Sequence, residues 1–329
     1  MTSHPQADRD RFTAETRQFR RELLAHCYRM AGSVQDAEDL VQETYLRAWR
    51  AYAGFERRSS VRSWLYRIAT NVCLTALAPR SIRVLPSGLS GPCDAVDRPP
   101  NLLGPDEVSW LEPIPEAWLT PTDDPAAVVI ARESLRLALI AGLQHLPARQ
   151  RAILILREVL AFSAAETAEI LDTTTAAVKS GLQRARSRLN DLDPNRETLL
   201  EPTDPRARAL LDGYIAAFEH SDARMLEQVL RADATLEATP FADWQSGRRG
   251  CIRMLATYVL GAPGDWRMLP TTANGHPAAV VYHRGTDGFL HPDGVVVLIA
   301  TPTGVSRVVK FHDPALVMTF GFPEAIRGG

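Results

Sequence analysis

The sequence is short of everything that marks a secreted, membrane-spanning or metal-held protein. Its 329 residues hold four cysteines, Cys27, Cys73, Cys93 and Cys251, none in a CxxC pair, so neither a disulfide framework nor a zinc site is predicted. Three of them sit in apolar contexts and are expected in cores, whereas Cys93 falls in a loop-like stretch. No apolar run approaches the roughly 18 residues of a membrane span, and the opening "MTSHPQADRDRF" lacks the apolar core of a signal peptide. Both absences predict a cytoplasmic chain with no membrane partner. Excess charge is lacking as well. A formal net charge of −2 argues against a protein that coats nucleic acid unaided, so any basic surface must be local.

What is present is ordinary for folded protein: 45% apolar and 23% charged residues, over a length that suggests two or three compact units. Prolines divide them. Ten of the 23, at 79, 86, 92, 99, 100, 105, 113, 115, 121 and 125, crowd a stretch that can be neither regular helix nor central strand. Residues 79–125 are therefore expected to form an extended linker, with Trp110, Leu111, Ile114 and Trp118 as apolar anchors. A shorter break follows at 191–205. The units that result are 9–78, 126–190 and 206–329.

Apolar residues recur at three and four throughout the first two units, which predicts two all-α domains. The third opens with helical patterns and ends on the strand-like runs "AAVVYHR", "GVVVLIAT" and "GVSRVVKF", the last two joined through "TPTG". An α+β domain with a curved antiparallel sheet is expected there.

The second unit is the most legible. Pro147 suits a first helical position, and Ile153, Leu154, Leu156 and Leu160 supply a buried face. Ser163-Ala-Ala-Glu166 then matches a capping box. The helix it starts ends near Leu171-Asp172, and Thr173 or Thr174 can cap the next, leaving the short turn of a helix-turn-helix. In that next helix Val178, Leu182, Ala185 and Leu189 face inward, while Lys179, Gln183, Arg184 and Arg186 do not. No acid lies between Thr175 and Leu189. Cations near a helix C-terminus also complement the macrodipole, which accounts for Arg186 and Arg188 but not for Lys179 near the start. Contact with a DNA major groove and its phosphates is the expectation.

In the first unit, Val41, Tyr45, Trp49 and Tyr52 form an apolar stripe on the helix "DLVQETYLRAW". Asp36 and Glu38 fit dipole complementarity, but Gln42 gains nothing from a dipole. With Asp39 and Glu43 it could form a polar docking face for a basic protein surface. The segment "FERRSSVRSWLYRIATN" follows, where Arg57, Arg58, Ser59, Ser60, Arg62 and Ser63 combine cations with small hydroxyls, and Trp64, Tyr66, Arg67 and Asn71 come at helical offsets. Single-stranded nucleic acid is bound by that mixture, although Trp64 and Tyr66 also suit a core.

These stretches carry a family resemblance. "DAEDLVQETYLRAW" with "FERRSSVRSWLYRIATNVCLTAL" resembles region 2 of an extracytoplasmic-function (group IV) sigma factor of bacterial RNA polymerase, and "LPARQRAILILREVLAFSAAETAEILDTTTAAVKSGLQRARSRL" resembles region 4. The resemblance implies a chain that binds core polymerase and directs promoter recognition, melting and initiation. By it, Asp39, Gln42 and Glu43 dock on the β′ clamp helices, and region 4 meets the β flap. Arg57 through Asn71, including Ser59, Ser60 and Ser63, read the −10 element, while Thr174, Thr175, Ala176, Lys179, Ser180, Gln183, Arg184 and Arg186 read the −35 element. Two departures stand out. "ALAPRSIRVLP" places proline where the family closes region 2 with a basic tail, and Asp172 stands where the region 4 turn often has glycine.

"RALLDGYIAAFEHSDARMLEQVLRADATLEATP", "GRRGCIRMLATYVLG" and the strands are similar to the SnoaL-like branch of the NTF2-like cone fold, as are "VSWLEPIPEAWL" and "FHDPALVMTFGFP" to sigma factors that carry it. That implies an apolar cavity, with Phe241, Trp244, Trp266, His283 and Asp313 as candidate pocket residues beside His312, and a small molecule as a candidate ligand. No acid–base pair is evident, so regulation rather than catalysis is expected, with no cofactor and no metal. A one-component regulator that senses a small molecule and binds an operator without polymerase is the competing expectation, disfavoured by the net charge.

Overall fold

The computed structural model describes residues 5–57, 59–78, 82–93, 98–104, 106–118, 133–192 and 197–327. It forms two compact units, one of Met1–Arg83 with Trp118–Pro194 and the other of Val84–Ala117 with Asn195–Gly329. The expected linker range is thus divided: its central part groups with the C-terminal unit. Positions 79–81, 94–97, 105 and 119–125 of that range lie outside the described residues, as do 126–132.

The first unit begins with helices α1 (Pro5–Thr16), α2 (Arg20–Ala31), α3 (Val34–Ala51) and α4 (Val61–Leu77). Their ends follow from local chemistry. Gly32, at φ +72°, closes α2, and the Ser33 hydroxyl opens α3 by accepting from the Asp36 N–H at 3.1 Å. Ser60 caps α4 in the same way from Ser63. Helix α2 is buried nearly all round, Leu23, Cys27, Tyr28 and Met30 being fully covered. The buried face of α3 is not the expected aromatic stripe. Ala37, Leu40, Val41, Thr44 and Ala48 face inward, because small side chains permit the closest helix approach, and Trp49 is left 38% exposed. The aromatic strip is met instead by Phe12 of α1, edge-on to Tyr45, Trp49 and Tyr52 at centroid distances of 6.3, 5.3 and 5.2 Å.

The same unit continues through α5 (Leu137–Gln144), α6 (Ala148–Leu154, prolonged by a π-turn over Ile155–Val159), α7 (Ala164–Ile170) and α8 (Thr175–Leu192). Pro147 takes the cap position before α6 rather than its first turn. Ile153, Leu154 and Leu156 are buried, and Leu160 only half so. The Ser163–Glu166 capping box forms in both directions, at 2.7 and 3.1 Å, and the Thr174 hydroxyl caps α8 by accepting from Ala177 at 3.2 Å. Asp172 holds the turn at φ +48°. A Cβ at Gly181 would lie 2.6 Å from Ile153 Cδ1, so α8 crosses α6 at close range there.

The C-terminal unit carries α9 (Pro205–Glu219), α10 (Leu226–Val229), β1 (Leu230–Thr239), β2 (Gln245–Ser246), α11 (Arg248–Tyr258), β3 (Trp266–Ala273), β4 (His276–Arg284), β5 (Phe289–Thr301), β6 (Gly304–Phe311), α12 (Pro314–Thr319) and β7 (Ile326–Arg327). The strand order is β2-β1-β6-β5-β4-β3, with β7 on β5. The sheet is mixed rather than antiparallel: β3 to β6 form a meander, and β1 returns alongside β6 in parallel. Pro270 is tolerated because β3 is an edge strand. Register shifts between Val281 and Tyr282 and between Ile299 and Ala300 bend the sheet, whose apolar face is covered by Tyr214, Phe218, Leu226 and Leu255.

Within 84–117, the described residues 84–93, 98–104 and 106–117 are laid across this unit as a strap. Part of its backbone bonds to the domain: Cys93 N–H donates to the Trp244 carbonyl at 2.8 Å, Leu103 N–H to the Pro240 carbonyl at 2.9 Å, and the Asn101 carbonyl accepts from Ala242 N–H at 2.9 Å. Ile114 N–H donates to Asn274 Oδ1 at 3.0 Å. Leu111 and Ile114 are fully buried. Other strap N–H groups bond within it, Val84 to the Ser109 carbonyl and Leu111 to the Val84 carbonyl, both at 3.0 Å.

Candidate functional site

On α3, Asp39 and Gln42 are exposed and share one helical face, with Glu43 half-buried beside them. Glu43 accepts from Arg47 Nε at 2.6 Å. The other two acids of the first turns are already engaged, Asp36 by Arg83 at 2.7 Å and Glu38 by Arg20 at 2.6 Å. An exposed carboxylate and amide are therefore left on that face.

Helix α4 presents Ser60, Ser63, Arg67 and Asn71 along one side, all exposed except Ser63, which is half-buried. Ser59 is exposed just before them; Arg58 lies outside the described residues. Trp64 is half-buried, stacked on Phe55 at 4.5 Å. Arg57 sits at φ +56° and pairs with Glu15 at 2.6 Å, a hydrogen bond that holds the Glu15 carboxyl below its usual range. Arg62 departs from the exposed row. Its Nε donates to Glu22 at 2.9 Å, and its guanidinium lies 5.0 Å from the Tyr66 ring centroid and 4.9 Å from that of Phe162. Burial alone would lower its pKa, but Glu22 and Tyr66 raise it, so the charge is kept. Tyr66 is fully buried.

On α8, Val178, Gly181 and Ala185 are buried, while Thr174, Thr175, Ala176, Lys179, Ser180, Gln183, Arg184 and Arg186 are all exposed. Arg186 is paired with Glu158 at 2.6 Å. Lys179, Gln183 and Arg184 thus form an outward face with no carboxylate on the helix before Asp191.

The C-terminal unit encloses a cavity of about 230 Å³. Phe241, Trp244, Trp266 and His312 line it. His283 does not: it is exposed, its ring 4.5 Å from the outer side of Trp266. Asp313 is also exposed and is committed to capping α12, accepting from Ala315 at 2.9 Å. Sequence reasoning missed Asp293 and Lys310. Asp293 Oδ2 lies 2.7 Å from Lys310 Nζ and 3.3 Å from His312 Nδ1, a buried cluster of charge rather than a set of aligned hydrogen bonds. Burial would raise the Asp293 carboxyl's pKa, but His312 and Lys310 hold it well below the usual range. Asp293 is brought there by Gly294, at φ +140°, where a Cβ would collide with the Phe311 carbonyl. The glycine after an aspartate within a strand pattern was the available signal.

Among the described residues there is no cluster of metal-ligating side chains, and no helix is long and apolar enough to cross a membrane. A family model described as Sigma-70 region 2 matches residues 16–81, and one described as Sigma-70, region 4 matches residues 136–189. The chain is 48% identical over 317 residues to the ECF RNA polymerase sigma factor SigG of Mycobacterium tuberculosis, an alignment that spans 96% of this chain and 85% of that protein. It is 29% identical over 224 residues to SigJ of the same species, covering 68% of this chain and 63% of that one. The crystal structure of Mycobacterium tuberculosis SigJ shares its fold, with a TM-score of 0.58 at 23% sequence identity over 95% of this chain and 99% of that one.

Proposed function

The chain belongs to the extracytoplasmic-function RNA polymerase sigma factors, and from that premise we propose that its two helical modules dock on core polymerase and read two promoter elements. The exposed Asp39 and Gln42 on α3, with Glu43, meet a basic surface of the enzyme, the β′ clamp helices. The row Ser60, Ser63, Arg67 and Asn71 on α4, with Ser59, Arg57 and Arg58, takes the separated −10 strand. Thr174 to Arg186 of α8 enter the major groove of the −35 duplex, where the first turns reach base edges and Lys179 and Arg184 reach phosphates. The chain acts in the cytoplasm as an initiation factor, not a catalyst, and its C-terminal unit modulates engagement.

The observation that carries this is the outward face of α8. A capped helix-turn-helix holds Lys179, Gln183 and Arg184 exposed, although the whole chain has a net charge of −2. A basic face on an acidic chain supports assisted rather than independent DNA binding.

Arginine at Asp39 and Gln42 together tests the docking face. Capture of core polymerase is expected to fall with duplex binding unaltered. Unchanged capture would remove those residues from the interface, and tight operator binding without polymerase would favour a one-component regulator.

A further inference from the structure

The cavity of the C-terminal unit has two kinds of wall. Part belongs to the sheet and its helices, through residues such as Phe218, Trp266 and Met268; part belongs to the strap, through Cys93, Arg98 and Pro100. The strap is fastened beside it by Asp243, whose carboxylate accepts from the Asn101 N–H at 2.7 Å and from Arg98 at 3.2 Å. Trp244 adds an indole N–H to the Ser90 carbonyl at 2.8 Å. Anything held in the cavity therefore touches both a folded domain and the chain that joins the two promoter-reading modules.

The polar groups on the wall specify the occupant. Lys310 and His312 both line the cavity and share Asp293, so they stand together. The Lys310 charge is met by Asp293, and that of Arg98 by Asp243. A further anion would be buried among apolar side chains with no uncommitted cation to meet it, which is costly. A neutral oxygen meets no such obstacle: His312 has Nδ1 on the side of Asp293, 3.3 Å from its Oδ2, which leaves Nε2 for a ligand oxygen. The volume lies just below that of sites for drug-sized molecules.

We propose that this cavity binds a small neutral ring compound carrying one hydroxyl or carbonyl oxygen, and that the bound molecule pins the strap to the C-terminal unit. The site itself stands apart from the sigma-factor function; its effect on initiation rests on it. By linkage, an occupant that touches both walls stabilises the docked strap, and strap release expels it.

Cys93 supplies the readout, being the one cysteine of the four that is not buried. The full chain is labelled with a maleimide in the presence of naphthol, naphthoate or naphthalene, and amide exchange is followed at Cys93, Asn101 and Leu103. Naphthol at about ten times its dissociation constant is expected to slow labelling roughly tenfold and to protect the three amides. Naphthoate is expected to bind more weakly. His312→Leu should weaken naphthol roughly threefold to tenfold and leave naphthalene unchanged. Ala238→Phe, at the cavity wall, should abolish binding of both if it folds, and His312→Leu decides the matter if it does not. Binding by none of the three compounds, preference for naphthoate, or binding without protection of the strap would each overturn the proposal. Naphthol binding in a chain that fails to engage core polymerase would sink the sigma-factor function and leave the site standing.

Discussion

Phe162, at the end of the turn after α6, packs edge-on against Tyr66 of α4 with ring centroids 5.3 Å apart. Between them and Glu22 lies Arg62, so the module that carries α8 covers one of the residues that the family resemblance assigns to the −10 strand. The contact is reinforced deeper down. Arg29 of α2 donates to the Ser134 hydroxyl at 2.7 Å, and Arg151 of α6 donates to the Met30 carbonyl and to Gln144 Oε1 at 2.7 Å. Burial lowers the pKa of both guanidiniums to about 10. The −10 and −35 elements are separated by tens of ångströms of duplex, so the proposed reading of both at once by α4 and α8 predicts that this packing opens.

A double-mutant cycle on Phe162→Ala and Tyr66→Leu tests that contact. A coupling of about 0.5–1.5 kcal/mol is expected from an aromatic pair of this geometry. Phe162→Ala alone should enlarge the radius of gyration of the free chain in solution scattering. An unchanged radius together with no coupling would show that the two helical modules are not held by this pair.

The α8 face makes a graded prediction for promoter binding by the polymerase complex. Lys179→Ala and Arg184→Ala should each make the salt dependence shallower by about one phosphate contact. Arg186→Ala should do less, because its guanidinium is already paired with Glu158. Equal slopes for all three variants would contradict the assignment.

Asp172 tolerates its left-handed backbone at a cost that glycine would not have. Asp172→Gly is expected to leave thermal stability equal or raise it by up to about 1 kcal/mol, whereas Asp172→Val should lower it by about 1–2 kcal/mol. Calorimetry on the full chain checks both.

The two units should respond differently to acid. His26 is fully buried against Thr70, at 3.0 Å, and burial lowers its pKa from 6.5 to about 3. The unfolded chain therefore binds a proton below pH 6.5 that the folded one refuses, and stability is lost as pH falls through that window, by about 1.4 kcal/mol per unit at most. Asp293 is depressed too, so its contribution persists until pH drops below the ordinary carboxylate range, about 4. Acid titration monitored by amide exchange should show α2 and α4 loosening before β5 and β6. His26→Gln should remove the earlier phase; its persistence would assign that phase elsewhere.

Much of this was legible in the residues because the signals are local. The Ser163–Glu166 box, the Thr174 cap and the inward Val178 and Ala185 each depend on neighbours within a turn or two, and so do the runs that became β4, β5 and β6. What escaped depends on distant partners. Strand β1, "LRADATLEAT", carries few β-branched residues and is fixed by parallel pairing with β6, some seventy positions later. The strap's prolines exclude regular structure without revealing that Trp244, Asp243 and Asn274 would take its backbone. Phe12 covering the aromatic edge of α3, and Phe162 covering Arg62, are likewise tertiary contacts with no periodic trace. For the cavity, aromatic residues were readable as candidates, but Asp293 was not, because its role arises from a bend at Gly294.

The most direct test of the account is transcription from a promoter library by purified core polymerase with and without this chain. Initiation at a defined set of promoters only when the chain is present, lost when Asp39 and Gln42 are both replaced by arginine, is the predicted result. Core polymerase that ignores the folded chain, while the chain alone binds operator duplex tightly, would contradict it.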